Sequence, residues 1–325
     1  MPIKTERLLK LVSRSFSIAI AMLPKKVKKN IGNFYLLCRY ADSIEDSNLP
    51  TEKKAETFKK FIFSVKKEDV MGVREVSKEI LPFVIYENDK KMIKHFGRVM
   101  KEFVSFPKKD KEISKKWLTS MARGMQKYSK KDIENFRDLN NYCYFVAGTV
   151  GMYLTELFEY KFNIARKVEL SKRAKDFGLL LQKVNIIRDF SKDYKEGRVF
   201  WPKKLFAKHN VTVDNVFNEE HSVARQKILA EMIKSTKKNI ANSIEYIEML
   251  PKGETMLRAS CAIPFCMALP TLMKCEENEK IFDTKEKVKI DRDEVAKILL
   301  MIKNNLGETS FIRDYSKETL KVRAV

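Results

Sequence analysis

Two apolar segments of this chain carry a polar stripe at helical spacing, and each stripe ends in a cluster of acids. In the first, Tyr35, Arg39, Asp42 and Asp46 fall at steps of four, three and four residues; in the second, Gln182, Asn185, Asp189 and Asp193 step by three, four and four. Those intervals put each set on one face of an α-helix. The flanks are apolar: Phe34, Leu36 and Leu37 beside the first stripe, and Leu179, Leu180, Leu181, Ile186 and Ile187 beside the second. Helices of this kind are buried on most sides, so the polar stripe turns inward.

The acids stand where a helix dipole repels them. Asp42-Ser43-Ile44-Glu45-Asp46 and Asp189-Phe190-Ser191-Lys192-Asp193 both lie at the trailing end of their segment, so a cation is expected beside each. Arg39 and Arg188 lie close upstream, and Glu45 adds a third carboxylate to the first cluster. Carboxylate oxygens suit a hard metal ion, and a guanidinium suits a phosphate oxygen. Two such ends facing one cavity make a magnesium-diphosphate site. A single cluster would read as a solvated acidic helix end. Two matching clusters with Tyr, Arg, Gln and Asn in register argue against that.

Only 10 glycines and 9 prolines punctuate 325 residues, and no run of alternating β-branched residues appears. The expected fold is therefore all-α, with enough apolar content for a sizeable core. The pattern predicts helices near 5–12, 26–46, 52–66, 74–104, 112–127, 132–158, 166–193, 221–249, 254–275 and 294–304. Lysine-rich connectors fall at 105–111 and 276–293, with an irregular stretch from 194 to about 220. No connector is long or biased enough for a linker, so residues 1–325 read as a single domain.

The formal charge of +22 implies affinity for something anionic without choosing a partner. A lysine-rich surface accounts for it better than a nucleic-acid footprint, because no basic stripe is interleaved with stacking aromatics. Cys38, Cys143, Cys261, Cys266 and Cys275 lie in apolar helical stretches without CxxC spacing, as reduced, buried thiols of a cytoplasmic protein do. His95, His209 and His221 are too dispersed for a zinc site. No GxGxxG phosphate loop occurs, and no stretch reaches the roughly twenty apolar residues needed to span a bilayer. Peripheral contact of a basic face with a membrane stays open.

From Asn140 to Phe158 the small residues Ala147, Gly148 and Gly151 leave one side of a helix bare. Each glycine costs about 1 kcal/mol relative to alanine, so close approach of a neighbour or a ligand must offset it. An isoprenoid chain and a tightly packed helix serve equally. Tyr142, a little over one turn before Ala147, points its hydroxyl toward that space.

The residues also resemble a known family. Ser13-Arg14-Ser15-Phe16-Ser17, Phe34-Tyr35-Leu36 leading to Arg39 and the acids, Tyr142-Cys143-Tyr144-Phe145-Val146-Ala147-Gly148, the stretch from Leu179 to Pro202, and Cys261-Ala262-Ile263-Pro264 are similar, in this order, to squalene synthases. The resemblance implies an all-α isoprenoid synthase fold with helices around a central apolar channel. It implies a prenyltransferase that joins two farnesyl diphosphates into presqualene diphosphate and reduces it to squalene with NADPH. On that basis Asp42, Glu45, Asp46, Asp189 and Asp193 hold Mg2+. Arg14, Ser15, Arg39, Gln182, Asn185, Arg188 and Arg198 bind the diphosphates, and Tyr142, Arg39 and Arg188 act in the chemistry. Lys289 and Arg292 contact NADPH.

The resemblance is not complete. Ser260 stands where the family carries an aromatic residue, Phe265 where it carries Gln, and Asp291 and Asp293 bring acids into a segment that is more basic elsewhere. A synthase that stops before reduction, giving dehydrosqualene or a phytoene-like product, is the alternative. A non-catalytic basic helical protein would explain the charge but leave the acidic stripes unexplained. The partner expected is a small prenyl diphosphate rather than nucleic acid, bound by a monomer that is cytoplasmic or peripheral to a membrane.

Overall fold

In the computed structural model the described residues are 5–321, except 14, 130, 165, 166, 277, 284, 286, 306 and 309. All regular structure among them is helical. The order is α1 (Thr5–Val12), α2 (Ser15–Met22), α3 (Lys25–Glu45), α4 (Thr51–Lys67), α5 (Val70–Ile80), α6 (Glu87–Lys94), α7 (Phe96–Val104) and α8 (Lys108–Tyr128). Then come α9 (Phe136–Cys143), a π-helical segment (Tyr144–Gly148), α10 (Thr149–Phe162), α11 (Lys167–Arg188), α12 (Phe190–Lys195) and α13 (Lys203–Lys208). The series closes with α14 (Ser222–Lys237), α15 (Ile240–Met249), α16 (Thr255–Cys275), α17 (Arg292–Asn304) and α18 (Phe311–Lys321).

Prolines start several of these helices. Pro24, Pro50, Pro107 and Pro202 stand immediately before α3, α4, α8 and α13, where the missing N–H costs no intrahelical bond. Asp69 and Asn135 instead cap α5 and α9 with side-chain oxygens that accept from backbone N–H groups. The long helix expected over 74–104 is three helices, because Pro82 ends the first and the backbone turns again at His95. The expected 166–193 helix breaks at Asp189, and 221–249 breaks at residues 238–239. Helices α2 and α18 were not expected, and α13 sits inside the stretch read as irregular. Ser15–Met22 is apolar on nearly every side and so carries no amphipathic period to read.

The chain divides into two compact units, one of residues 1–130 and 152–165, the other of 131–151 and 166–325. In the first, α3 is the central helix. Phe34 stacks on Tyr153 with ring centroids 3.5 Å apart, and Tyr40 lies against Phe61 and Phe96 at 4.5 and 4.2 Å. The Tyr40 hydroxyl is not lost in this apolar setting, because Ser77 Oγ lies 3.0 Å away.

In the second unit α11 is packed by α14, α15, α16 and the π segment. Phe190, Trp201, Phe206, Phe217 and Phe282 form an aromatic cluster at its end. Helix α16 is long and apolar enough to cross a membrane, contrary to the sequence expectation, but 83% of its apolar window is buried within the protein. It is a core helix on that measure. All five cysteines are free and buried, as expected.

The bare face around Ala147 resolves toward helix packing. A Cβ on Gly151 would stand 2.4 Å from the Ala174 carbonyl oxygen, and one on Gly178 would stand 2.5 Å from that of Ala147. Backbone meets backbone there, so α11 itself fills the space. The segment from Tyr144 to Gly148 is π-helical, a local widening of the helix that the sequence pattern did not reveal.

Candidate active site at two acid-bearing helix ends

From Ile31 to Ser47 every residue of α3 and its C-cap turn is buried except Tyr35, Arg39, Asp42, Glu45 and Asp46. From Phe177 to Phe190 the half-buried residues are Leu181, Gln182, Asn185, Arg188 and Asp189. Over these stretches each helix is thus sheathed in protein except along the stripe that the sequence marked and at Leu181.

On α3 the stripe is organised by Arg39. Its Nε and Nη2 donate to the two carboxylate oxygens of Asp89 at 2.9 and 2.7 Å, and its Nη1 lies 4.0 Å from Asp42. Asp89, on α6, is 1% exposed, so this is a fork-to-fork pair held inside protein. Burial works against the charge on Arg39, and Asp42 and Asp89 together outweigh it, so its pKa stands above the ordinary arginine value. Asp89 escaped the sequence reading because it lies 50 residues from its partner, on a helix that reads as an ordinary charged surface.

Two further contacts shape this end. Burial raises the Tyr35 hydroxyl pKa, against a hydrogen bond from Ser13, and the Phe16 ring lies 5.8 Å from the Tyr35 ring. The Ser13 to Ser17 motif therefore does reach the stripe, through Ser13 and Phe16. Ser15 is exposed at the start of α2, and Arg14 lies outside the described residues. Lys54 Nζ donates to the Glu45 carbonyl at 2.7 Å, placing a cation at the C-terminal end of α3, as the helix dipole favours.

At the other end the geometry corrects one expectation. Helix α11 stops at Arg188, and Asp189 is the N-cap residue of α12, so Asp193 sits on a new short helix rather than on the α11 stripe. The trailing end of one helix is also the leading end of the next, which eases the dipole's repulsion of Asp189. Arg188 bonds Asp189 through both Nε, at 3.0 Å, and Nη2. Burial pushes the Asp193 carboxyl up to about 7, with Asp189 and Glu196 adding to it and Arg198 and Lys192 opposing. Arg198 Nη2 reaches Asp193 at 3.2 Å and also bonds Glu196.

Tyr142 belongs to this same end. It is 3% exposed and stacks on Phe200 with centroids 4.7 Å apart, and the Arg198 guanidinium lies over Phe200 at 5.9 Å. Phe200 therefore joins the tyrosine to the arginine that holds Asp193, a role that periodicity cannot show in a stretch without regular structure. Trp201 fixes this turn. Its indole N–H donates to the Ile186 carbonyl at 3.1 Å, one of the last-turn carbonyls of α11 that lack an intrahelical partner. Gln182 and Asn185 make no side-chain hydrogen bond with any described residue, so the helix-to-helix bond that would occupy them structurally is not made.

Lys289 and Arg292 are exposed side chains, on the segment before α17 and in its first turn. Asp291 between them caps α17 in a reciprocal box with Glu294, at 2.8 and 2.9 Å. One of the two unexpected acids thus has a structural purpose. Ser260 and Phe265 are both buried in α16, and the Ser260 hydroxyl donates to the Leu257 carbonyl at 2.6 Å.

Among the described residues no three carboxylate, imidazole or thiol groups form a ready-made metal cage. Magnesium asks for less: it keeps several waters and takes one or two protein carboxylates together with phosphate oxygens. Asp42, Glu45 and Asp46 at the one helix end, and Asp189 and Asp193 at the other, are each a set of hard oxygen donors suited to that ion. Asp193 fits it in a second way, because a nearby divalent cation reverses the penalty that burial places on a carboxylate.

Comparison with known proteins gives the family and the fold. The sequence model of the squalene/phytoene synthase family matches residues 9–294. The squalene synthase of Schizosaccharomyces pombe is 29% identical over 303 residues, covering 90% of this chain and 63% of that protein. That of Mus musculus is also 29% identical, covering 94% of this chain and 71% of that protein. The chain thus spans about two thirds of the length of these relatives. A solved structure of TcSQS in complex with a ligand, E5700, superposes with a TM-score of 0.86 at 27% identity, covering 98% of this chain and 90% of that one.

Proposed function

This chain belongs to the squalene/phytoene synthase family and has its all-α isoprenoid synthase fold, and from that premise we propose that it is a squalene synthase. The reaction is magnesium-dependent head-to-head condensation of two farnesyl diphosphates to presqualene diphosphate, followed by reduction to squalene with NADPH. The observation that carries this reading is the pair of half-open polar stripes, each ending in carboxylates beside an arginine. The family match runs through both compact units, which supports a single functional domain.

Loss of the diphosphate leaving group is the chief barrier, because it takes a dense negative charge off an allylic carbon. Asp42, Glu45 and Asp46 with Asp189 and Asp193 would hold Mg2+, which supplies the charge that stabilises the departing diphosphate. Arg188 and Arg198 exchange their present carboxylate partners for diphosphate oxygens, or share them, while Arg39 keeps its Asp89 pair and turns Nη1 to the same oxygens. Ser15, and Arg14 by family resemblance, are assigned to the diphosphates as well. Gln182 and Asn185 offer amide groups to the same oxygens. Tyr142 steers the allylic cation with its ring face, or takes the proton released as the cyclopropane closes. The Phe200 stack keeps that ring in one orientation. The enzyme works as a monomer, cytoplasmic or at a membrane face.

Asp89 serves this reaction by aiming Arg39 rather than by touching substrate. Asp89→Asn removes the charge that fixes the guanidinium and is expected to raise KM for farnesyl diphosphate about tenfold, with a smaller change in kcat. Steady-state kinetics decide it. An unchanged KM in a folded variant would remove Asp89 from the substrate-binding network.

A second reading has one observation in its favour. Lys289 and Arg292 are exposed and flanked by Asp291 and Asp293, a poor setting for a triphosphorylated dinucleotide. On that ground a synthase releasing dehydrosqualene or a phytoene-like product is retained. Incubation with farnesyl diphosphate and magnesium, with and without NADPH, separates the two. Squalene formed only with NADPH is the expected result, and a product profile indifferent to NADPH overturns the reductive step.

A further inference from the structure

The first unit carries a concentration of positive charge that the prenyl diphosphate reading leaves unused. A cleft of about 450 Å³ is lined by Arg74, Ser77 and Lys78 of α5 and by Lys94, His95 and Arg98 around the junction of α6 and α7. No acidic side chain lines it. Glu79 and Glu87 are engaged elsewhere, accepting from Lys60 and Lys90 at 2.7 Å each, and Glu75 of α5 does not line the cleft. Lys78 and Lys94 make no ion pair with any described residue.

Arg74 is placed rather than loose. A Cβ on Gly97 would stand 2.6 Å from Arg74 Nε and 3.2 Å from its Cγ, so the side chain lies across the bare backbone of α7. Among the described residues its guanidinium meets the Met71 sulfur, 3.7 Å from Nη1. The floor is fixed as well, since the buried Ser77 hydroxyl donates to the Val73 carbonyl at 2.8 Å and meets Tyr40. Arg74, Lys78 and Lys94 bring three like charges to one recess, with Arg98 at its margin, and focus a positive field into it that an anion relieves.

We propose that this cleft binds a phosphate-bearing ligand of two or more negative charges. None of its residues belongs to the candidate active site, so the inference stands or falls apart from the synthase reading. Leu81 lines the same cleft, and Phe83 and Ile85 are exposed just beyond it along the chain. Those apolar groups suit a phosphate carried on an apolar body, such as an anionic phospholipid headgroup. A soluble phosphate ester is the other source of the same chemistry.

The full chain and its Arg74→Gln/Lys78→Gln/Lys94→Gln variant are compared in two arms. One measures co-sedimentation with phosphatidylcholine vesicles with or without phosphatidic acid; the other measures calorimetric binding of inorganic diphosphate in the presence of EDTA. The variant is expected to bind about tenfold more weakly in one arm or both. A loss confined to the vesicle arm assigns a lipid headgroup, and a loss that includes the diphosphate arm assigns a soluble ligand. Equal binding by the two proteins in both arms, or no binding in either, overturns the proposal. Thermal unfolding checks that the variant is folded; if it is not, the single Lys94→Gln substitution is read in the same arms and must weaken binding at least about twofold.

Discussion

Asparagine at position 189 is expected to slow magnesium-dependent release of diphosphate from farnesyl diphosphate by about a thousandfold, with little change in the melting transition. The substitution keeps the shape of the side chain and removes the charge that a divalent cation needs. Asp189 is also the carboxylate of the Arg188 pair, but both side chains are about one third exposed, so the stability cost of uncoupling them is small. Asp42→Asn tests the other end in the same way, because Asp42 is similarly accessible and sits 4.0 Å from Arg39. Each variant is followed by diphosphate release across a magnesium titration. Turnover near that of the unmodified enzyme in either would dissolve the assignment of that acid to the metal.

The largest effect on stability is expected where no chemistry occurs. Gly178→Ala adds a methyl group 2.5 Å from the Ala147 carbonyl oxygen and 2.8 Å from the Gly148 Cα. Both neighbours are backbone, so no side chain can rotate away and α11 must shift as a body. Such overpacking costs about 1–3 kcal/mol, and the lower helix propensity of glycine offsets no more than about 1 kcal/mol of it. Urea unfolding of Gly178→Ala should therefore show a lower midpoint. Gly253→Ala, where a Cβ meets nothing within 4 Å, is the control and should leave the midpoint in place. Equal midpoints for the two would mean that the close approach of α11 to Ala147 does not bear on stability.

The parts of the fold that were legible in the sequence are those that repeat. The stripes of α3 and α11 follow a 3.6-residue period through apolar surroundings, so the side chains that escape burial were readable in advance. Pro24 marks the start of α3 for a local reason, the missing donor, and Pro50, which follows that helix in the sequence, proves to start α4 as well. What escaped is what depends on distant partners. Asp89 looks like any acid in the first turn of a charged helix until its two bonds to Arg39 are seen. The break at Asp189 is invisible to periodicity, because the donor that takes the Ile186 carbonyl is Trp201, 15 residues on. The glycines near Ala147 were rightly read as a place of close approach, but whether a ligand or a helix approaches is a tertiary fact.

The first compact unit is not contiguous, and this bears on how the chain comes off the ribosome. Residues 1–130 emerge first, yet the ring that stacks on Phe34 and the hydroxyl that meets the Asn30 carbonyl at 3.2 Å both belong to Tyr153. The nascent chain must therefore hold its central helix unfinished while a stretch of the second unit is made, and only then receive the segment that closes the first. A fragment cut at residue 130 would leave Phe34 uncovered and invite self-association, so the two halves cannot be separated by truncation without including that returning segment.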